Sequence, residues 1–376
     1  MNSYHAIGRN SYLDAARSFF KSLLETGEVQ SLLVPLRQDR TNDIMPTLVT
    51  DPEDTDKADP FSPSFPLNSA KLVSRLTRKK NRKRVAVFLR PCEIRAVVEL
   101  VKLKQADMEN LVIISSDCFS AFPNSVFNTG FREKGEEFTN EYISARMSAS
   151  FTDDYNGSIS EACRICTDPF PGIADIVINP DHSDAKQVTV ESKSDAGGHI
   201  LAQMGLDEAE PPKDGKEKRK KVMEELGRNR EETFQSIQEQ TADLEKLGVF
   251  FSSCVNCYNC RVACPVCYCR ECVFNTDVFD HEPLQYINRS QTRGSLRMPS
   301  DTMFFHLTRM IHIGLSCVGC GQCANACPND IPLSGLFMSV ADKAQKGFDY
   351  TSGGSIEENH PLSCFFEDEL NDVTGI

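Results

Sequence analysis

Tryptophan is missing from this 376-residue sequence, and so is any apolar run long enough to cross a bilayer. Its longest apolar stretches, VAVFL and LVIIS, are of strand length, far short of the roughly 20 residues a helical span needs. Positive charge is also in deficit: 41 Lys and Arg face 54 Asp and Glu, a net charge of -13. That balance argues against nucleic acid and against anionic membrane surfaces as partners. There is no GxGxxG fingerprint, no phosphate loop, no HExxH and no hydrolytic triad pattern, and no catalytic residue can be named. The opening MNSYHAIGRNSYLD has neither the basic start nor the apolar core of an export signal, so the expected location is cytoplasmic.

What the chain has in excess is cysteine, 16 in all. Cys254 to Cys264 and Cys317 to Cys327 each follow C-x2-C-x2-C-x3-C and then proline. In bacterial ferredoxins this spacing lets three thiolates of one tight loop hold one 4Fe-4S cubane while the fourth cysteine crosses to the other. The crossing rule assigns Cys254, Cys257, Cys260 and Cys327 to one cubane, and Cys317, Cys320, Cys323 and Cys264 to a second. Zinc would use pairs of cysteines separated by a longer spacer, and a disulfide framework belongs to short secreted chains. Cys267, Cys269 and Cys272 are left over, either as spare thiols near a cluster or as a substitute ligand set. Cys364 reads as an ordinary free thiol. Between Cys264 and Cys317 lies an insert ending in a predicted helix, Thr302 to Leu315, on or near which lie His306 and His312. Packing and hydrogen bonding are the expected roles of both.

The N-terminal half reads as α/β. Leu13, Ala16, Phe19, Phe20, Leu23 and Leu24 recur at helical spacing. SLLVPLR suggests a short strand broken by Pro35. The proline-rich stretch 51–69 is expected to be a loop ordered by its contacts, followed by a helix ending in the basic run RKKNRKR. Val85 to Leu89 and LVIIS are buried strands, each giving way to a loop that carries a cysteine, Cys92 and Cys118; Cys163 and Cys166 start a third loop. In α/β folds such strand ends carry the sites. Four cysteines from three loops are thus candidates for a third 4Fe-4S cluster. Residues 207–247 are dense in charge, with Val222, Leu226, Phe234, Ile237, Leu244 and Leu247 as a thin apolar stripe. They predict one or two exposed helices bridging the halves.

RPCEIRA, the SDC at 116–118 and CRICTDPFPGIADIVI resemble the core motifs of the beta subunits of coenzyme F-420-reducing hydrogenase and formate dehydrogenase. The resemblance covers roughly residues 80–205. It implies that Cys92, Cys118, Cys163 and Cys166 hold a 4Fe-4S cluster beside an FAD, with Arg90, Pro91 and Arg95 in the flavin vicinity. After ADI the early glycines of that family are missing here, whereas the strand pair and its turn, Asp195 to Gly198, are kept. CPVCYC, the helix with its histidine and CVGCGQCANACPNDIP are similar to the iron–sulfur subunits of anaerobic sulfite reductase and cytoplasmic sulfhydrogenase. This second resemblance covers about 250–337.

The expected architecture is an α/β (α+β) N-terminal domain with a mixed sheet (1–205), a charged helical linker (206–248), an α-rich bacterial-ferredoxin-like domain with an insertion (249–340) and an acidic C-terminal tail (341–376). The expected function is that of an electron-transfer beta-type subunit in an anaerobic oxidoreductase complex of formate dehydrogenase, hydrogenase or heterodisulfide reductase type. Its partners would be a catalytic subunit, other electron-transfer subunits and a soluble carrier such as ferredoxin, NAD(P) or coenzyme F-420. The alternative is a polyferredoxin-like relay with no flavin and no substrate site.

Overall fold

The computed structural model describes residues 3–79, 83–148, 155, 157–180, 186–209, 215–279, 282–296 and 301–364. Seven strands form one sheet: β1 Tyr4–Gly8, β2 Ser31–Arg37, β3 Ile44–Val49, β4 Val85–Phe88, β5 Leu111–Ser115, β6 Ile176–Pro180 and β7 Gln187–Ser192. Their order is β1-β7-β6-β5-β4-β2-β3. The central pairs β2·β4, β4·β5 and β5·β6 are parallel, and the outer pairs are antiparallel. The sheet is therefore mixed, as expected. Its interior strands are continuous apolar runs because both faces are covered.

Strand periodicity of two divides those faces. Leu32, Val34, Ala86, Phe88, Val112 and Ile114 pack with Phe19 and Phe20 of helix Tyr12–Glu25. Leu33, Val85, Val87, Leu89 and Ile113 pack instead with helix Pro91–Lys102 and with Ile237, Phe251, Phe305 and Leu336 of the C-terminal half. The sheet and the cysteine-rich half thus share one hydrophobic cluster.

Several local readings need correction. Pro35 does not break β2, which runs through it with Pro35 opposite Pro46. The pairing of β2 with β4 has ended at Leu33, so the missing amide costs that ladder nothing. Asp195 to Gly198 is no turn; it opens helix Asp195–Met204, whose first turn is capped by the Ser194 hydroxyl accepting from Gly197 N–H. The charged stretch forms helices Gly215–Gln240 and Leu244–Phe250. Leu226, Phe234, Ile237 and Leu247 are buried, but Leu244 is 74% exposed and lies off the stripe. In the basic run, residues 80–82 lie outside the described residues.

At the C-terminal end, helix Leu333–Gly347 runs through the boundary expected at 340/341. The segment after it folds back onto helix Pro91–Lys102. The Tyr350 hydroxyl and Gly353 N–H both donate to Glu99 Oε1, at 2.6 and 2.7 Å. A β-carbon on Gly353 would lie 2.4 Å from that of Arg95, and its φ of +70° suits glycine.

Candidate metal centres

The two cysteine runs fold into loops of the same shape. Residues two and four places after the leading cysteine are left-handed in each: Asn256 (φ 49°) and Tyr258 (φ 59°) after Cys254, Gly319 (φ 68°) and Gly321 (φ 73°) after Cys317. These reversals coil each loop tightly. Glycine accepts the conformation freely and asparagine tolerates it, whereas tyrosine is strained there. Tyr258 is held by edge-on packing against Phe305 at 4.7 Å and by its hydroxyl donating to Asp301 Oδ2 at 3.4 Å. Each loop ends in one short helical turn, Asn259–Ala263 or Gln322–Asn325, and the two turns pack together.

One cavity is lined by Cys254, Cys257, Cys260 and Cys327, with Val255, Tyr258, Phe305 and His306 among its other walls. A second is lined by Cys264, Cys317, Cys320 and Cys323, with Ile313, Phe337 and Met338. The structure thus gathers the eight cysteines in the crossed sets that their spacing predicts. Among the described residues no three His, Cys, Asp or Glu side chains are placed to hold a single metal ion. The donor sets, four cysteines each around a cavity with apolar walls, fit a 4Fe-4S cubane.

Cys92, Cys118, Cys163 and Cys166 also meet. Cys92 lies within electrostatic reach of Cys118 and Cys166, and Cys118 of Cys163. The local reasons are visible. Pro91 occupies the first turn of helix Pro91–Lys102, and the buried Glu93 carboxylate accepts from Arg90 N–H (2.9 Å) and Ser69 N–H (2.6 Å). This puts Cys92 at a helix N-terminus, where the helix dipole favours negative charge. Cys118 is tied to the third loop by its N–H donating to Pro169 O at 2.8 Å. Cys163 sits on the short helix Glu161–Arg164.

Burial pushes the thiol of Cys166 up to about 12 and those of Cys260 and Cys317 up to about 11. A buried free thiol keeps its proton more tightly than a solvated one does. Metal loading has to displace those protons and supply the positive charge that stabilises thiolate.

Arg90, Pro91 and Arg95, expected near a flavin, are engaged otherwise. Arg90 donates to the carbonyls of Ser62, Ser64 and Ser120 and lies over the Phe65 ring. Arg95 pairs with Asp168 at 2.8 Å and donates to Ser352. Pro91 is buried in the first turn of its helix. These three residues brace the loops around Cys92.

Sequence reasoning placed His306 on its helix and missed its contact. His306 Nε2 lies 3.4 Å from Cys254 Sγ, and its ring stacks on Phe251 at 4.0 Å with planes 2° apart. Burial holds its pKa down to about 3, so the imidazole is neutral. Nδ1 has no partner; with Cys254 as a thiolate ligand the sulfur can only accept, and Nε2 would carry the N–H and donate to Sγ. The helical offset from Phe305 and His306 to Arg309, Met310 and Ile313 was the signal, since all five are buried on one face. His312 is exposed. Of the spare cysteines, Cys267 and Cys272 are partly buried and Cys269 is exposed; none lines either cavity.

Comparison with known proteins follows the same division. The family described as the C terminus of the coenzyme F420 hydrogenase/dehydrogenase beta subunit matches residues 82–214, the stretch carrying Cys92, Cys118, Cys163 and Cys166. The 4Fe-4S binding domain family matches residues 315–332. The chain is similar along 90% of its length to the F420-dependent formate dehydrogenase subunit beta of Methanocaldococcus jannaschii, with 26% identity and 91% of that protein covered. It is 27% identical to the F420-dependent formate dehydrogenase 1 subunit beta of Methanococcus maripaludis, with 90% of each covered. A chain of the F420-reducing [NiFe] hydrogenase complex from Methanosarcina barkeri aligns over 65% of this chain and 94% of its own, with 15% identity and a TM-score of 0.44, a likeness too loose to carry an argument. Residues 315–332 thus match a 4Fe-4S binding domain, and no described helix is long and apolar enough to cross a membrane.

Proposed function

We propose that this chain is the electron-transfer beta-type subunit of an F420-dependent formate dehydrogenase-type complex, with three 4Fe-4S cubanes in series. The observation that carries the reading is the adjacency of the cages. A β-carbon on Gly321, in the loop of Cys320 and Cys323, would fall 2.5 Å from that of Ala162, which directly precedes Cys163. Cys264 and Cys260, contributed to different ferredoxin-type cages, lie on the same turn of chain. Among the twelve expected ligands only Cys257 is exposed. This gives an order: the Cys254 cage at the surface for a catalytic partner, the Cys264 cage in the middle, and the Cys92 cage inside the sheet half.

The residues of the chain do three things in this scheme. They deliver thiolates at ligand spacing, exclude water with apolar walls such as Phe305, Phe337 and Met338, and donate hydrogen bonds that set potentials. When bound, cubanes supply single-electron transfer without bond making. The names of the relatives support a soluble deazaflavin carrier at the far end of the series. A deazaflavin takes up a hydride, two electrons at once, so an FAD, which the family resemblance implies, would be needed to pair the single electrons that the cubanes pass. The second reading, a relay with no flavin and no substrate site, is favoured by the missing early glycines after ADI and the lack of a GxGxxG fingerprint.

The test is anaerobic purification followed by acid extraction of the chromophore and assay of F420 reduction with dithionite as donor. Reduction of F420 together with stoichiometric released flavin supports the carrier-linked reading. Brown protein with neither leaves the pure relay.

A further inference from the structure

Arg309 is 4% exposed, and no carboxylate pairs with it among the described residues. Its Nη2 donates to Cys260 O at 3.2 Å, while Nε and Nη1 have no partner. The guanidinium is sandwiched by rings, 4.6 Å from the centre of Phe337 and 5.6 Å from that of Phe305. An unpaired buried cation is costly, and ring faces recover only part of the loss. Phe305 lines one cavity and Phe337 the other, so the guanidinium lies between the two cages, and the groups that act on it most are cysteines: Cys260 of one cage, Cys264 and Cys323 of the other, and the spare Cys267. As neutral thiols these would leave the charge uncompensated. As ligands of a cubane they carry net negative charge, which grows by one on reduction.

We infer that Arg309 is the shared counter-charge of the two ferredoxin-type cages, a fixed cation between them that favours the reduced state of both. Its position couples the pair. A cation near Cys260 and Cys264 alike lifts both potentials together, and so keeps the hop from the surface cage to the middle cage close to level. A cation serving one cage alone would create a step. Each reduction adds one electron, taken from the donor, with no bond formed or broken. This inference rests on the reading that both cages hold cubanes, and iron content together with the reduced-state resonance spectrum of the parent protein tests that reading separately.

The experiment compares parent, Arg309→Gln and Arg309→Lys proteins in a dithionite titration followed by electron paramagnetic resonance. In Arg309→Gln the reduced-to-oxidised ratio of both ferredoxin-type clusters at a fixed potential should fall at least tenfold, a shift of about 59 mV for a one-electron couple. The Cys92-set cluster should stay in place, and Arg309→Lys should hold both potentials near the parent values. If Arg309→Gln fails to take up iron while Arg309→Lys loads normally, the charge is still what is required and the inference stands. It is overturned if Arg309→Gln loads fully with unmoved potentials, if only one of the two clusters shifts, or if Lys and Gln fail alike, which would mark a role in shape rather than charge.

Discussion

The backbone of Gly321 lies so close to Ala162 that a β-carbon at Gly321 would fall 2.5 Å from the β-carbon of Ala162. Gly321 is in the loop carrying Cys320 and Cys323, and Ala162 directly precedes Cys163. This contact joins the middle cage to the N-terminal one, and Glu161 reinforces it by accepting from Ser334 Oγ and Gly335 N–H. Gly321 also has a φ of +73°. Gly321→Ala adds backbone strain to a steric clash, and should destabilise the protein by about 2–5 kcal/mol. Anaerobic denaturant unfolding of the loaded protein measures it. A loss below half a kilocalorie per mole would show that the loops separate freely.

His306 and Cys254 define a second prediction. A donor hydrogen bond to a ligand sulfur stabilises the reduced, more negative cluster. His306→Leu removes it and should make the potential of the Cys254-set cluster more negative while the other two stay. Resonance-monitored titration distinguishes this single shift from the paired shift expected at Arg309.

The folded-back C-terminal segment hangs on Glu99. Glu99 is fully buried and takes the Tyr350 hydroxyl, the Gly353 N–H and, at 3.5 Å, the Lys102 ammonium, itself almost wholly buried. Glu99→Ala leaves that ammonium with the Tyr350 hydroxyl at 3.0 Å and the partly exposed Glu358 carboxylate at 3.3 Å. A loss of about 3 kcal/mol is expected, together with faster proteolysis after Phe348. Unchanged stability would mean that the segment is held elsewhere.

Much of this arrangement was legible in the sequence, for a definite reason. Ligand spacing is a local, covalent constraint, so the crossed pairing of Cys264 and Cys327 could be written down before any fold was known, and both cavities contain the expected sets. Buried strands also announce themselves, as Val85–Phe88 and Leu111–Ser115 did. The contacts of His306 and Arg309 were not legible, because helical spacing shows which face is inside but not what lies opposite it. Pro35 misled because its cost depends on whether a neighbouring strand extends that far. Leu244 misled because a short amphipathic pattern cannot say where a helix leaves the core. The C-terminal segment looked like an acidic tail because its anchors, Tyr350, Ser352 and Gly353, bind residues some 250 positions earlier.

His360 gives a pH prediction. It is buried beside Ser316, with Oγ and Nε2 2.9 Å apart, and stacks edge-on with Tyr350. Burial lowers its pKa, partly countered by Glu99 and reinforced by Lys102. The fold therefore prefers the neutral ring, whereas the unfolded chain takes up a proton below about pH 6.5. The stabilisation is present above that pH and is lost as pH falls toward the depressed folded value. His360→Gln should flatten this part of the difference in stability between pH 7.5 and 5. Parallel curves for parent and variant would contradict it.

The most direct measurement is the iron and sulfide content of anaerobically prepared protein, beside that of Cys163→Ser. Three cubanes predict about twelve iron atoms per chain, falling to about eight in the variant with the signals of the other two clusters intact. Colourless protein, zinc in place of iron, or a variant whose content equals the parent's would contradict the account.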